Sequence, residues 1–162
     1  MKVQKNKITK AHYETLAELR YALRQFLRFS ENAAQAAGVT PQQHQAMLAI
    51  KGFPGRDHIT IGELAERLQI LHHSAVGLAN RLVAEKYARR VPDQRDRRQV
   101  RLTLTIRGET VLEKLSATHR EQLRRIGPQI NHLLEFLRGD SPAGFLIERD
   151  QARAGGEDGN RQ

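Results

Sequence analysis

The sequence predicts a mainly α-helical fold that carries one small β hairpin. Apolar residues recur at helical spacing through residues 9–37, the segments within 40–85, and residues 105–137. Strict alternation of polar and apolar residues occurs beside one strongly charged turn, in residues 99–104. At 162 residues the chain is expected to form one domain with a sizeable core.

The first predicted element is a long helix that Thr9 can cap and that runs to about Ala37. Gly38 is suited to end it, because glycine adopts the left-handed conformation at low cost. The apolar positions of this helix are Leu16, Leu19, Leu23, Phe26, Leu27 and Ala34. That face is larger than one small core requires, so we expect part of it to pack on a partner chain.

Two helix-start signals follow in residues 40–68. Thr40-Pro41-Gln42-Gln43 has Thr at the N-cap, Pro at the first helical position and Gln three residues after the cap. Thr60-Ile61-Gly62-Glu63 is a second capping box. Between them, residues 52–55 break the first of these helices and His58-Ile59 is a short extended piece.

The next helix is predicted from about His73 to Glu85, and its two faces differ. Four apolar residues at positions i, i+3, i+4 and i+7 form the buried face: Ala75, Leu78, Ala79 and Leu82. Small and hydrogen-bonding side chains occupy the other face: His73, Ser74, Val76, Gly77, Asn80 and Arg81. Such a face suits close approach to base edges and phosphates.

A charged turn between two strand-like runs, residues 87–91 and 99–104, predicts the hairpin. Between Arg89 and Arg101 there are six Arg and two Asp, a formal +4 out of the chain's +9. Arginines at a hairpin tip suit a groove lined by phosphates, which makes this hairpin a candidate DNA-binding wing. The alternative is a merely solvated, charged hairpin. We favour the wing because Asp93 and Asp96 can hold the neighbouring guanidinium groups in place.

After the hairpin, Leu104-Thr105 begins another long helix. Its predicted stripe is Ile106, Val111, Leu112, Leu115 and Leu123. Gly127-Pro128 is expected to kink or end it, and a last helix follows through Leu137. The order of a helix, a tight connection, a second helix and a basic hairpin predicts a winged helix-turn-helix at about 40–108. We expect dimerisation helices at about 9–37 and 105–138, and a flexible tail at 139–162.

Composition narrows the function. A pI near 10.5 indicates a polyanionic partner, double-stranded DNA before a membrane surface. The chain has no cysteine, which excludes disulfides, thiolate metal sites and thiol redox sensing. The absence of a membrane-length apolar run and of a signal core predicts a cytoplasmic protein. Nucleophile–base spacings and phosphate-binding glycine loops are missing, so neither an enzyme nor a cofactor is expected.

A metal sensor is the alternative that the pair His72-His73 suggests. Adjacent residues on a helix point about 100° apart, so a regular helix cannot bring both rings to one ion. We therefore expect no metal site, and we favour DNA contact or packing at the helix start for both histidines.

These motifs resemble the MarR family of bacterial transcription regulators over roughly residues 10–137. The resemblance is carried by residues 38–43, 61–65 and 72–78, and above all by Asp93-Gln94-Arg95-Asp96-Arg97-Arg98 followed by Leu104-Thr105. It implies a homodimer, held by the first helix and the last two, on pseudo-palindromic operator DNA. The DNA-binding residues expected are His72, His73, Ser74, Val76, Gly77, Asn80, Arg81, Arg95, Arg97 and Arg98, with Asp93 and Asp96 positioning the wing.

The resemblance also implies a small aromatic or anionic effector that releases the operator. Tyr13, Arg20, Arg24 and His44 are the candidate ligand-binding residues, although surface or packing roles explain each equally well. In place of the glycine usual after the recognition helix, the chain has Lys86. Either this lysine is left-handed and strained by about 1 kcal/mol, or the turn has another shape.

The function predicted is therefore a ligand-responsive repressor. Two alternatives remain. A nucleoid-type protein would also be basic and dimeric but would discriminate little between DNA sequences. A wing-based protein–protein module would bind its partner without steep salt dependence.

Overall fold

The computed structural model describes residues 7–92 and 100–139, and these form five helices and three strands, which confirms the predicted fold class. In chain order the elements are α1 (Lys10–Ala36), α2 (Pro41–Lys51), β1 (His58–Thr60), α3 (Ile61–Leu68), α4 (His72–Ala84), β2 (Ala88–Pro92), β3 (Val100–Leu104) and α5 (Ile106–Arg138). None of the described helices is apolar over a length that could cross a membrane.

The chain divides into two compact units. The first takes its residues from 1–26 and 122–162, and the second is Leu27–Glu121. Within the first unit, Gln129 Nε2 donates to Glu18 Oε1 over 3.0 Å, and the rings of His12 and Phe136 lie 5.6 Å apart. The second unit contains the sheet and helices α2, α3 and α4.

The sheet is antiparallel, with strand order β1-β3-β2. Ile59 of β1 and Arg90 of β2 both lie opposite Leu102 of the central strand. The extended piece predicted at His58-Ile59 is thus a third strand, and the hairpin is part of a three-stranded sheet. Ile59 and Leu102 are fully buried, so the sheet contributes its inner face to the core.

The core of the second unit lies between α2, α3, α4 and this sheet. Its largest fully buried apolar side chains are Met47, Ile50, Ile59, Leu64, Leu82 and Leu102. The predicted buried face of α4 is confirmed, because all four of its apolar residues, Ala75, Leu78, Ala79 and Leu82, are buried. Burial of one face fixes which side of α4 is turned outward.

Both predicted capping boxes are present. The Thr40 hydroxyl accepts from the Gln43 backbone N–H (3.1 Å), and Gln43 Oε1 accepts from the Thr40 N–H (2.8 Å). At α3, Thr60 and Glu63 make the same reciprocal pair. Burial alone would raise the pKa of Glu63, but hydrogen bonds from Thr60 and Arg56 outweigh it and hold that pKa below its ordinary value.

Four of the described helices are followed by a left-handed residue, and in two of them that residue is glycine. Gly38, Gln69, Lys86 and Gly139 have φ of +78°, +53°, +64° and +83°. After Lys86, the Tyr87 N–H donates back to the Leu82 carbonyl over 2.8 Å, which is the closing hydrogen bond of a Schellman motif. Of the two possibilities set out for Lys86, the left-handed conformation is the one found. Its side chain adds about 1 kcal/mol of strain there.

α5 departs from the sequence prediction in two ways. The helix does not end at Gly127-Pro128 and no separate last helix follows: α5 continues through Pro128, and a kink there stays a prediction. Gly127 has no Cβ to clash with the proline ring, which removes much of the penalty for a helical residue before proline. Two residues of the predicted stripe are also not buried: Ile106 is 84% exposed and Leu123 is 45% exposed. At about 100° per residue, Ile106 lies roughly 120° to 180° around the helix from Leu112 and Leu115, which are buried.

Candidate nucleic-acid interface

The outward face of α4 carries all seven of the DNA-binding residues predicted outside the hairpin. Five of them are exposed, namely His72, His73, Ser74, Asn80 and Arg81, and two are half-buried, Val76 and Gly77. The buried face of the helix carries only apolar side chains. The seven residues therefore lie together on one side of a helix whose other side is packed in the core.

A buried glutamine fixes α4 relative to α2. Gln43 is almost completely buried, and its Nε2 donates to Glu85 Oε1 over 2.9 Å at the end of α4. The same side chain completes the capping box with Thr40. A single residue thus joins the start of α2 to the end of α4. The sequence signals its capping role, but it gives no sign of the contact with Glu85, which is distant along the chain.

A groove of about 460 Å³ runs between α2 and α4. Its walls and floor are Gln42, Gln45, Leu68, Ile70, His73, Ser74, Gly77, Leu78 and Arg81. The lining, all of it in the described part of the chain, includes no acidic side chain. Gln42 and Gln45 were not predicted as site residues, because the sequence shows only a helix start there and not which helix lies alongside.

One hydrogen bond joins α4 to the base of the hairpin. Arg90 of β2 donates from a guanidinium nitrogen to Asn80 Oδ1 over 2.5 Å, and both side chains are exposed. The amide oxygen of Asn80 thereby accepts one hydrogen bond. Its Nδ2 group has no hydrogen-bond partner among the described residues. Arg90 was not among the predicted site residues. Its distance from Asn80 along the chain gives no periodic signal that would pair the two.

The tip of the hairpin, residues 93–99, lies outside the described residues, and with it the predicted positions Arg95, Arg97, Arg98, Asp93 and Asp96. The strands that lead into it are described as far as the pair Pro92 and Val100. Arg89 and Arg90 are exposed on β2. On β3, Arg101 donates to His58 Nε2 over 2.7 Å, so this arginine is tied to β1.

The base of the hairpin is held against the start of α5. The Thr105 hydroxyl donates to the Lys86 carbonyl over 2.6 Å and accepts from the Gly108 N–H over 3.2 Å. A Cβ built on Gly108 would lie 2.1 Å from the Tyr87 carbonyl oxygen, so only glycine fits at that position. The guanidinium of Arg107 lies over the Tyr87 ring at 4.8 Å. These contacts set the direction in which β2 leaves the strained turn at Lys86.

The candidate ligand-binding residues are divided between the two units. Tyr13, Arg20 and Arg24 belong to the first unit and are exposed, Tyr13 by 63%. His44 belongs to the second unit and is only 4% exposed. A shared ligand pocket for the four residues stays a prediction.

His44 lies in a small cluster of its own. Its ring is 4.8 Å from that of His119. Nδ1 of His119 donates to the Leu115 carbonyl over 2.5 Å, and its Nε2 lies 2.7 Å from the Ser30 hydroxyl. Burial, and secondly the neighbouring His119, lower the pKa of His44 below its ordinary value. Its position in the core therefore disfavours the charged form of the His44 ring.

Within residues 7–92 and 100–139, no group of three or more His, Asp or Glu side chains is arranged to hold a metal ion. His72 and His73 are both exposed at the start of α4 and have no carboxylate or third histidine beside them in this part of the chain.

Comparison with known proteins gives one family. Residues 37–99 match the MarR family. The transcriptional activatory protein BadR of Rhodopseudomonas palustris is 32% identical over 84 residues, which are 52% of this chain and 48% of BadR. The chain thus spans about half the length of that relative.

Among solved structures, the transcriptional regulator Tm0710 of Thermotoga maritima has a TM-score of 0.57 and 26% identity, over 84% of this chain and 95% of that one. NadR in complex with 4-hydroxyphenylacetate has a TM-score of 0.61 and 21% identity, over 90% and 99% of the two chains.

Proposed function

We propose that this chain, whose residues 37–99 match the MarR family of transcription regulators, is a homodimeric repressor of pseudo-palindromic operators. Proteins of this family are DNA-binding regulators and not enzymes. The finer assignment, which includes the homodimer, the repression and release by a small ligand, is our proposal. We place the protein in the cytoplasm, where its DNA would be accessible.

The observation that carries the proposal is the outward face of α4. A helix about 10–12 Å across fits a major groove about 12 Å wide, and its side chains then reach the base edges. Arg81 suits guanine or phosphate, and Ser74 suits either a base or the backbone. The exposed arginines of β2 and the chain's +9 charge supply the attraction to phosphate that any DNA binding needs.

The proposed dimer rests on apolar side chains that the described chain leaves uncovered. On α1 these are Tyr13, Leu16, Tyr21, Leu23 and Leu27, all more than 40% exposed. Exposed apolar residues repeated along one helix are typical of a surface that another chain covers. A second copy is the partner proposed, because two identical reading lobes match an operator with two related half-sites.

Release by a small ligand is supported by the exposed cations of α1 and by one structural relative. Arg20 and Arg24 would favour a carboxylate or phenolate. NadR, whose structure resembles this one, was crystallised with 4-hydroxyphenylacetate, an aromatic acid of that kind. We propose the same chemical class here.

Activation is the second candidate, and it is favoured by one observation. BadR, which is 32% identical over the matched residues, is named as an activatory protein. Transcription of a reporter placed behind the operator, with and without this protein, separates the two: repression lowers the signal and activation raises it.

Selection from a random DNA pool, followed by binding of the selected duplex at two salt concentrations with competitor DNA, tests the proposal. We expect a two-part consensus and an affinity at least about 10³-fold above that for random DNA. Similar affinities for all duplexes would indicate a nucleoid-type protein. If neither DNA binds with a steep dependence on salt, the protein is not a DNA-binding regulator.

A further inference from the structure

The groove between α2 and α4 is lined by side chains that can donate hydrogen bonds. Gln42 and Gln45 lie on its α2 side, and His73, Ser74 and Arg81 lie on its α4 side. All five side chains are exposed, and in the part of the chain that the structure describes none of them has a hydrogen-bond or ion-pair partner. With no acidic side chain in the lining, the groove suits an anion and disfavours a cation.

Gly77 gives a second, independent indication of an occupant. It lies in the interior of α4, where glycine is less favourable than alanine. A Cβ built on Gly77 would meet only a guanidinium nitrogen of Arg81, at 3.9 Å, which is ordinary contact. Nothing in the described chain therefore requires glycine at this position. The missing side chain leaves the helix backbone open at the floor of the groove, where an outside molecule can come close.

We propose that this groove holds the sugar-phosphate backbone of one DNA strand, with Gln42 and Gln45 donating to its phosphates. The inference rests on the proposed function, since it takes α4 to be the helix that enters the major groove.

Geometry favours the backbone over the bases as the occupant. The major groove of DNA is about 12 Å wide and admits a single helix. If α4 fills it, a helix packed beside α4 cannot enter as well, and its side chains reach the strand that borders the groove. Gln42 and Gln45 stand on that neighbouring helix. Neutral amide donors on phosphate add affinity for every sequence without adding sequence information.

The double variant Gln42→Ala/Gln45→Ala of the full chain tests the inference. Each neutral hydrogen bond contributes about a 2- to 10-fold change in binding, so losing two is expected to weaken binding roughly 4- to 100-fold. The loss should be equal on the duplex that the wild-type chain selects from a random pool and on a random duplex. The consensus should be unchanged. The dependence of affinity on salt should also be unchanged, because no charge is removed.

Two further variants sharpen the test. Gln35→Ala removes a glutamine of α1 that is also exposed but lies outside the groove, and this variant should bind both duplexes like wild type. Gln45→Lys puts a cation beside the proposed phosphate, so it should bind both duplexes more tightly and steepen the salt dependence by about one ion.

The outcomes separate the inference from the proposed function. If the wild-type chain selects no DNA, the proposed function fails and the inference fails with it. If the wild-type chain selects an operator but the double variant binds within twofold of it, only the inference is overturned. A changed consensus would also overturn it, since the glutamines would then read bases.

Discussion

Replacing Gly77 by alanine is expected to change stability and DNA binding in opposite directions. Alanine is favoured over glycine in a helix interior by about 0.8–1.0 kcal/mol. The added methyl meets only the flexible end of Arg81, at 3.9 Å, so almost all of that gain should be kept. For a chain of this size a gain of 1 kcal/mol raises Tm by about 2–4 °C. On DNA, a methyl group forced into a close contact costs about 1–3 kcal/mol, which weakens binding roughly 5- to 150-fold.

Thermal unfolding and a titration of the selected operator, both on the full chain, measure the two effects. Gly62→Ala is the matched control, because that glycine also lies in a helix with nothing within 4 Å of a built Cβ and does not line the groove. It should be no less stable than wild type and bind DNA equally well. If Gly77→Ala binds the operator as tightly as wild type, nothing approaches α4 at this point and the reasoning is wrong. A lower Tm would show that the space above Gly77 is filled within the protein.

Four other outcomes are expected. Arg95→Ala or Arg97→Ala should weaken operator binding by about 1–3 kcal/mol in a titration, and two variants that bind like wild type would mean that the hairpin is not a wing. Gly108→Ala should destabilise the chain by about 3 kcal/mol in chemical denaturation, because its Cβ would lie 2.1 Å from the Tyr87 carbonyl oxygen; an unchanged midpoint would contradict this packing. The pKa of His44 is lowered in the folded chain, so the stability that His44 contributes is complete above the ordinary value of 6.5 and is lost as the pH falls through the lower folded value. The free energy of unfolding, measured from about pH 7 to about pH 5, should therefore fall more steeply for wild type than for His44→Gln, and parallel curves would refute a role for this ring. Sedimentation should show a dimer at micromolar concentration, and a folded monomer there would refute the proposed homodimer.

The elements that the sequence predicts well are those whose signal is local. The buried face of α4 is periodic, and each capping box lies within four residues, so both can be read directly. The sequence predicts only a short extended piece at β1, because three residues are too few to show an alternating pattern. Its pairing with β3 is what makes it a strand. The sequence predicts a kink or an end at Pro128 because proline usually interrupts a helix. α5 continues there because Gly127 has no Cβ to clash with the proline ring.

At the candidate interface, too, the sequence predicts local features and does not predict tertiary contacts. Periodicity places Ser74, Asn80 and Arg81 on one helix face, but it says nothing about the elements that pack beside that face. Gln42 comes from a different helix, and Arg90 comes from a strand. Their proximity to α4 is a property of tertiary packing, which leaves no periodic trace in the chain. Lys86 is an intermediate case: the sequence shows that glycine is absent, and only the backbone shows that the left-handed turn is kept.

The hydrogen bond between Arg90 and Asn80 has a consequence for engineering. Designers who want a new target sequence often exchange the residues of one recognition helix and treat the rest of the scaffold as fixed. In this protein such an exchange at Asn80 would also release an arginine of β2, so it would alter a second contact surface. The smallest transplantable unit is therefore α4 together with Arg90, and a graft of α4 alone should lose more affinity than the change in its base contacts explains.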